Sequence, residues 1–244
     1  MTPSKSTWPE NLFILIPTYK SRKELMDFLS DLLKTVPREK ICIVDDASKD
    51  GTEKACKDRG IFCIVHKSNQ GKGAALLNGF SYLLTQKDAR WILTMDADGQ
   101  HSPKDLPSFL KVISEQPDVG LCIGARSMKP GVMPLARICS NRLTSSFLSL
   151  LTLRLIKDSQ CGYRLYSSEL LKKLDIQYNR FEMESEVILK AAFMNFPISF
   201  IQVHTLYLNG PSHISHFRDT LRWLKAVLHI WVSLLRHNDS KRNS

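Results

Sequence analysis

The segment Thr94–Pro103, TMDADGQHSP, sets Asp96 and Asp98 one residue apart with Gln100 close behind. In extended chain, alternate side chains project to the same side, so the two carboxylates point in one direction. Such a pair can hold Mg²⁺ or Mn²⁺, hard cations that accept oxygen ligands and share their shell with substrate phosphates. Gln100 offers a third oxygen. A solvated turn is the other reading, because Asp and Gly are common turn residues. His101 is one residue out of step with the ligand pattern and reads as a loop residue.

Two more polar stretches carry chemistry. VDDASKDGT, Val44–Thr52, places Asp46 where a carboxylate would accept hydrogen bonds from a base or a ribose. NQGKGAALLNGF, Asn69–Phe80, has the form of a Gly-rich turn opening a helix, with Lys72 between two glycines. Backbone N–H groups at such a turn cradle phosphate.

The elements that must hold these residues are read from hydrophobic period. Asn11–Pro17, 40–48, 61–66, 90–98 and 118–126 are short apolar runs ending in polar residues, which predicts buried strands. Between them, 21–36 has apolar residues at helical spacing with Ser21 as N-cap, and 50–60 is a helix ended by Gly60. Helices also follow at 69–86 and 102–116, the latter with Ser102 as cap and Pro103 at its first position. Strands that are apolar throughout, alternating with helices, predict an α/β fold with a mostly parallel sheet covered on both faces. In such sheets ligands bind at the carboxyl ends of strands. Thr18–Tyr19, Asp45–Asp46, Asp96–Asp98–Gln100 and Arg126 all fall there. The second half reads as a long helix over Leu135–Ile156, a loop into a short strand at DSQCGYRLYS, a helix over 182–196, a strand over 197–208 and a last helix from about Ser215 to His237.

With 244 residues and 43% hydrophobic content, one large domain with a substantial core is expected. Met1–Pro9 and His237–Ser244 read as loose polar tails. The net charge of +10 suits nucleic acid, an anionic membrane or phosphorylated ligands. No standard nucleic-acid-binding module is present, and nucleic acid is not an expected partner. The six cysteines, Cys42, Cys56, Cys63, Cys122, Cys139 and Cys161, form no CxxC pair and read as small core residues in a reduced cytosol. No apolar run reaches the roughly 18–20 residues that span a bilayer. The N-terminus lacks the apolar stretch of a signal peptide.

ILIPTYKS, VDDASKDGT, NQGKGAALLNGF, TMDADGQHSP, IGAR and DSQCGYRLYS occur in that order. Together they resemble the motifs of family 2 glycosyltransferases, in particular the branch of dolichol- and polyprenyl-phosphate sugar synthases, over roughly residues 11–205. The resemblance implies the GT-A fold, a Rossmann-like sheet sandwiched by helices. It implies a catalytic domain over 10–210 followed by a basic amphipathic helix and tail over 211–244. It implies an inverting transfer from a nucleotide diphosphate sugar, GDP- or UDP-linked, to a polyprenyl phosphate, with Mg²⁺ or Mn²⁺ as cofactor. By this resemblance Pro17 and Tyr19 line the nucleotide site, Asp46 contacts the base, and Lys72 and Ala97 join the donor site. Asp98 and Gln100 are the best metal ligands, with Asp96 on the ribose or the metal. A phosphate monoester acceptor is already anionic near neutral pH, its second pKa being about 6, so it needs positioning more than a base. Arg126, Arg137 and Arg164 are candidates for that phosphate, since a guanidinium fork matches its oxygens. Each reads equally as a surface or ion-pair arginine. Asp158 is a candidate base or acceptor orienter, or an ordinary helix-end acid, and Glu182, Glu184 and Glu186 are acids near the acceptor side or a solvated helix face.

The pattern has departures. Relatives often carry Asn-Glu where this chain has Lys20 and Ser21, which leaves the base open. His213, His216 and Arg218 match the family's basic cluster only loosely. Many relatives end in transmembrane helices. Here Arg218, Arg222, Lys225, His229 and Arg236 share one helical face, with Leu221, Leu224, Leu228, Trp231, Val232 and Leu235 opposite. A basic amphipathic helix of this kind fits a membrane interface. The alternative is a helix packed on the core. The expected location is cytoplasmic, peripheral to the inner face of a membrane, with room for a membrane-anchoring partner subunit. An acceptor that is a glycan or another hydroxyl compound of the cell envelope is the alternative; it needs a carboxylate base. A nucleotidyltransferase is disfavoured because PTYKSRKEL lacks the glycines such enzymes carry after the first strand.

Overall fold

The computed structural model describes residues 8–130, 132–204 and 216–242. Among them, β1 (Leu12–Thr18), β2 (Ile41–Asp45), β3 (Phe62–Val65), β4 (Trp91–Thr94), β5 (Leu121–Arg126), β6 (Arg164–Ser167) and β7 (Ile198–Val203) form one sheet. Its order is β3-β2-β1-β4-β6-β5-β7. β6 is antiparallel to β4 and β5, and every other pairing is parallel. The helices are α1 (Arg22–Leu32), α2 (Thr52–Asp58), α3 (Lys72–Leu83), α4 (Leu106–Glu115), α5 (Leu135–Thr152), α6 (Ser168–Lys173), α7 (Glu182–Phe193) and α8 (His216–Arg242).

The apolar runs form the centre of the sheet. All of β1, β2 and β4 is buried, as expected of strands covered on both faces. Leu12, Ile14, Leu15 and Ile16 are fully buried, each stabilising the fold by about 1.5–3 kcal/mol relative to an exposed side chain. β3 corrects that expectation. It is an edge strand, and Phe62 and Val65 remain exposed, with Phe62 stacked on Tyr82. Composition does not distinguish edge from centre.

Helix ends follow their punctuation with some corrections. Gly60, at φ +67°, closes α2, its N–H donating to the Lys57 carbonyl. The Ser102 hydroxyl accepts from the Lys104 N–H in a 3-10 turn that leads into α4. Ser21 precedes α1 but donates its hydroxyl to the Tyr19 carbonyl and caps nothing. α5 stops at Thr152, short of the expected Ile156, because Leu153 turns left-handed at φ 53°. α8 continues to Arg242, past the expected His237. Trp8, expected in a loose tail, is buried and donates its indole N–H to the Leu12 carbonyl. β7 ends at Val203; the expected extension over 205–208 and the domain boundary at 210–211 lie outside the described residues. Four cysteines are buried as expected, whereas Cys63 is partly exposed and Cys139 exposed.

The antiparallel strand decides where the chemistry collects. β1, β2, β4 and β5 bring their carboxyl ends to one edge. β6 runs the other way and pairs its first residue, Arg164, with Thr94 at the end of β4. The loop Asp158–Tyr163 before β6 is therefore delivered to the same edge as Asp96 and Asp98.

Candidate active site

Asp96, Ala97 and Asp98 sit just past β4 in a turn made by Gly99 at φ +73°, not in extended chain. Asp96 meets a lysine: Lys72 Nζ, at the first residue of α3, lies 2.8 Å from Asp96 Oδ1 and 3.0 Å from Glu184 Oε1. Burial alone would lower the lysine's pKa, but the two carboxylates outweigh it and hold it well above the usual range. Burial would raise the Asp96 carboxyl; Lys72, then His101, bring it down to about 2. His101 is buried. Its Nδ1 accepts from the Asp96 N–H at 2.9 Å, its Nε2 stands 3.8 Å from Asp96 Oδ2, and its ring stacks on Tyr163. It is not the simple loop residue its position suggested.

Asp98 is exposed and accepts only the Gln100 N–H among described hydrogen bonds, at 3.0 Å. Partial desolvation of its carboxyl and then the charge of Asp96 raise its pKa. Asp98, Gln100 and Asp96 are a hard-oxygen set, the chemistry that Mg²⁺ and Mn²⁺ select. Among the described residues no three His, Cys, Asp or Glu side chains converge as a metal cage.

At the end of β1, Pro17 is buried and Tyr19 is exposed just beyond the strand. The Thr18 hydroxyl is buried with no hydrogen-bond partner among the described residues. Asp46 does not stand open to a base. Its Oδ1 takes His66 Nδ1 at 2.7 Å and the Gln70 N–H at 2.8 Å, and its Oδ2 takes the Gly71 N–H at 2.7 Å. Asn78 meets His66 Nε2 at 2.7 Å. Asp46 thus fastens the turn that presents Lys72. Lys20, Ala47 and Lys49 all have positive φ around the same strand ends, a concentration of strain typical of binding edges.

On the other side, Arg126 leaves β5 and forms a two-point pair with Asp158, Nε to Oδ2 at 2.8 Å and Nη2 to Oδ1 at 3.0 Å. Asp158 is fully buried and also accepts the Arg126 N–H, Asn141 Nδ2 and the Gln160 N–H. Burial would raise its pKa; the bonds to Arg126 prevail and lower it. Its oxygens are occupied by Arg126, Asn141 and Gln160, and the carboxylate holds the Arg126 side chain in place. The charge of Arg126 also contributes, as the smallest cause, to the lowered Asp96 pKa.

Arg164 is held differently. It is fully buried, and its guanidinium donates to the carbonyls of Cys161, Ser159 and Glu184 at 2.7–2.8 Å. It ties the loop before β6 to α7. Arg137 lies half-buried in the first turn of α5, one turn before Asn141. Glu182, Glu184 and Glu186 are buried, so the solvated-face reading fails. Glu182 pairs with Arg222, Glu184 with Lys72, and Glu186 with Lys190 at 2.7 Å and the N–H groups of Gln177 and Tyr178.

The α8 helix packs through a face the pattern did not single out. Ala226, Val227 and Ile230 are buried, and Trp223 donates to Ser185 and meets Phe147. Leu221, Leu228, Val232 and Leu235 stay exposed. The side chains of His213, His216 and Arg218 lie outside the described residues.

The profile of glycosyl transferase family 2 matches residues 13–175, which include every strand end of this edge up to β6. The chain belongs to that family. This family 2 glycosyltransferase is 31% identical to a polyprenol monophosphomannose synthase of Mycolicibacterium smegmatis, across 68% of this chain and 65% of the relative. It is 28% identical to a UDP-N-acetylglucosamine–dolichyl-phosphate N-acetylglucosaminyltransferase of Methanococcus voltae, across 80% and 86%. Its fold is the GT-A type. The glucosyl-3-phosphoglycerate synthase of Mycobacterium tuberculosis, solved with Mg²⁺ and UDP, superposes with a TM-score of 0.69 at 16% identity, covering 92% of this chain and 79% of that one.

Gly162 shows how closely the transferase's site is built. A Cβ there would lie 2.6 Å from Asp96 Oδ2 and 2.7 Å from Lys72 Nζ. Both atoms are side-chain ends, so Gly162→Ala is expected to be accommodated by parting the ion pair, with a modest fall in melting temperature. Nucleotide affinity, measured by calorimetry, should fall about tenfold or more. An unchanged affinity would remove the Lys72–Asp96 pair from the donor site.

Proposed function

We propose that this glycosyltransferase moves a sugar from a UDP- or GDP-linked donor to a polyprenyl phosphate with inversion at the anomeric carbon. One observation carries the choice of acceptor. Each acid weighed as a base is ion-paired: Asp158 with Arg126, Glu182 with Arg222, Glu184 with Lys72 and Glu186 with Lys190. A hydroxyl acceptor needs a carboxylate free to take its proton. A phosphate monoester, already ionised near neutral pH, does not.

Pro17, Tyr19 and the Thr18 hydroxyl line the nucleotide, and the Asp46-fastened turn aims Lys72 at the diphosphate. Ala97 keeps the backbone between the two aspartates close to the donor. Asp98 and Gln100, with Asp96, would hold Mg²⁺ or Mn²⁺, which when bound supplies Lewis-acid charge to the departing diphosphate. Arg126, locked by Asp158, takes the acceptor phosphate, with Arg137 as a second cation at the same end of α5. An acceptor phosphate oxygen forms the new bond to the anomeric carbon as the bond to the diphosphate breaks, and the nucleoside diphosphate leaves. No helix among the described residues is long and apolar enough to cross a membrane. The reading therefore brings the 10–210 catalytic domain to the cytoplasmic face of the bilayer through the 211–244 segment, with or without an anchoring subunit.

A thermal-shift screen of UDP and GDP with and without Mn²⁺ tests the donor half. One nucleotide, only with metal, should stabilise by about 2.7 kcal/mol at a hundredfold excess over Kd. Transfer assays with a short polyprenyl phosphate and the matching polyprenol test the acceptor. Product from the phosphate alone is expected; equal product from the alcohol overturns the reading.

A further inference from the structure

We infer that the outer face of α5 is a docking surface for an anionic lipid bilayer. Leu135, Cys139, Leu143 and Leu150 recur at helical spacing on the side opposite the buried Ile138, Asn141, Ser145 and Leu148, and Leu153 follows just past the helix end. The four leucines are 66–88% exposed, and Leu155 just beyond is 73% exposed, whereas the exposed apolar side chains described on α8 are 38–45% exposed. Single exposed leucines need no explanation, but several along one side of an 18-residue helix do.

Charge identifies the occupant. α5 contains no acidic residue, Arg142 is exposed beside the row, and Lys129 and Lys157 are exposed just outside the two helix ends. Leucines flanked by cations are what a headgroup layer of negative lipids attracts and then buries. The same helix begins beside the site: Asn141 bonds Asp158, and Arg137 lies one turn earlier. A bilayer under α5 would lie next to the position the acceptor phosphate takes in the proposed function. The surface itself rests only on exposure and charge.

The test uses the full chain with neither nucleotide nor metal, so its result is independent of the proposed reaction. Flotation with vesicles of phosphatidylcholine alone is compared with vesicles containing phosphatidylglycerol. The chain is expected to float with the anionic vesicles and to be released as salt is raised. In a Cys63→Ser background, an environment-sensitive dye on Cys139 should shift to the blue on binding. Leu143→Gln together with Leu150→Gln should weaken partition about a hundredfold or more. Its melting temperature and its response to UDP or GDP with Mn²⁺ should be unchanged, since both side chains already face water. Leu228→Gln with Val232→Gln should cost less. The inference is overturned if the wild-type chain ignores anionic vesicles, or if only the α8 pair abolishes flotation. It is equally overturned if the chain is a dimer in solution that the α5 pair converts to monomer, because a second copy is then the occupant.

Discussion

Asp98→Asn removes the metal-dependent nucleotide response and lowers the rate of sugar transfer by about a thousandfold or more, while the protein melts at nearly the same temperature. The residue is exposed and accepts only the Gln100 N–H among the described hydrogen bonds, a bond an amide oxygen can keep. Folding therefore loses little, within about 0.5 kcal/mol for a surface change of this kind. The chemistry loses an anionic oxygen from the set that would hold the divalent ion, and electrostatic stabilisation of a leaving group contributes about 10²–10³ or more. Asp96→Asn separates the two carboxylates. It releases Lys72 from its 2.8 Å partner and should lower the melting temperature as well as the rate. Calorimetric Mn²⁺ titration and initial rates at saturating donor check both. Equal Mn²⁺ affinity in Asp98→Asn and wild type would remove this residue from the metal set.

Asp158→Asn produces the other large effect, of a different character. The carboxylate is fully buried and carries Arg126 on both oxygens, so the amide leaves a mostly buried guanidinium without its counter-charge. Breaking one partner of such a pair costs of order 3 kcal/mol. For a chain of this size that is a fall of roughly 10 °C in melting temperature. The transfer rate should fall about a hundredfold, because Arg126 no longer holds its angle toward the acceptor. The double change Asp158→Leu with Arg126→Met should recover most of the stability and none of the rate. Denaturant unfolding and transfer assays on the three variants separate the roles. A double variant that regains turnover would show that the pair only holds the fold.

The two arginines illustrate how differently one residue type can be used. Arg126 and Arg164 lie on neighbouring strands, and both looked able to meet a phosphate. Arg164 donates from each of its three nitrogens to a backbone carbonyl in the interior, where an unmet guanidinium would be prohibitive. Arg126 is held by the Asp158 carboxylate through Nε and Nη2 and keeps 12% of its side chain exposed. Sequence position at a strand end is common to both; the direction of the strand differs, since β6 is antiparallel to β5.

The sheet, its strand ends and the polar residues on them were legible because their signals are local. Apolar runs such as Leu12–Ile16 must be buried, polar residues at their carboxyl ends must emerge on one edge, and Gly60 or Pro103 mark boundaries through backbone preference alone. The acid pair and the Gly-rich turn were legible for the same reason, as short spacings within single segments. The tertiary structure decided everything that depends on pairing across distant segments. It set β3 at the edge, reversed β6, and brought Glu184 onto Lys72 from more than a hundred residues away. It spent Asp46 on His66 and Asp158 on Arg126, and drew His101 in behind Asp96. A carboxylate's role depends on what lies within about 3 Å of its oxygens, and no periodicity along one strand or helix encodes which remote cation folding will place there.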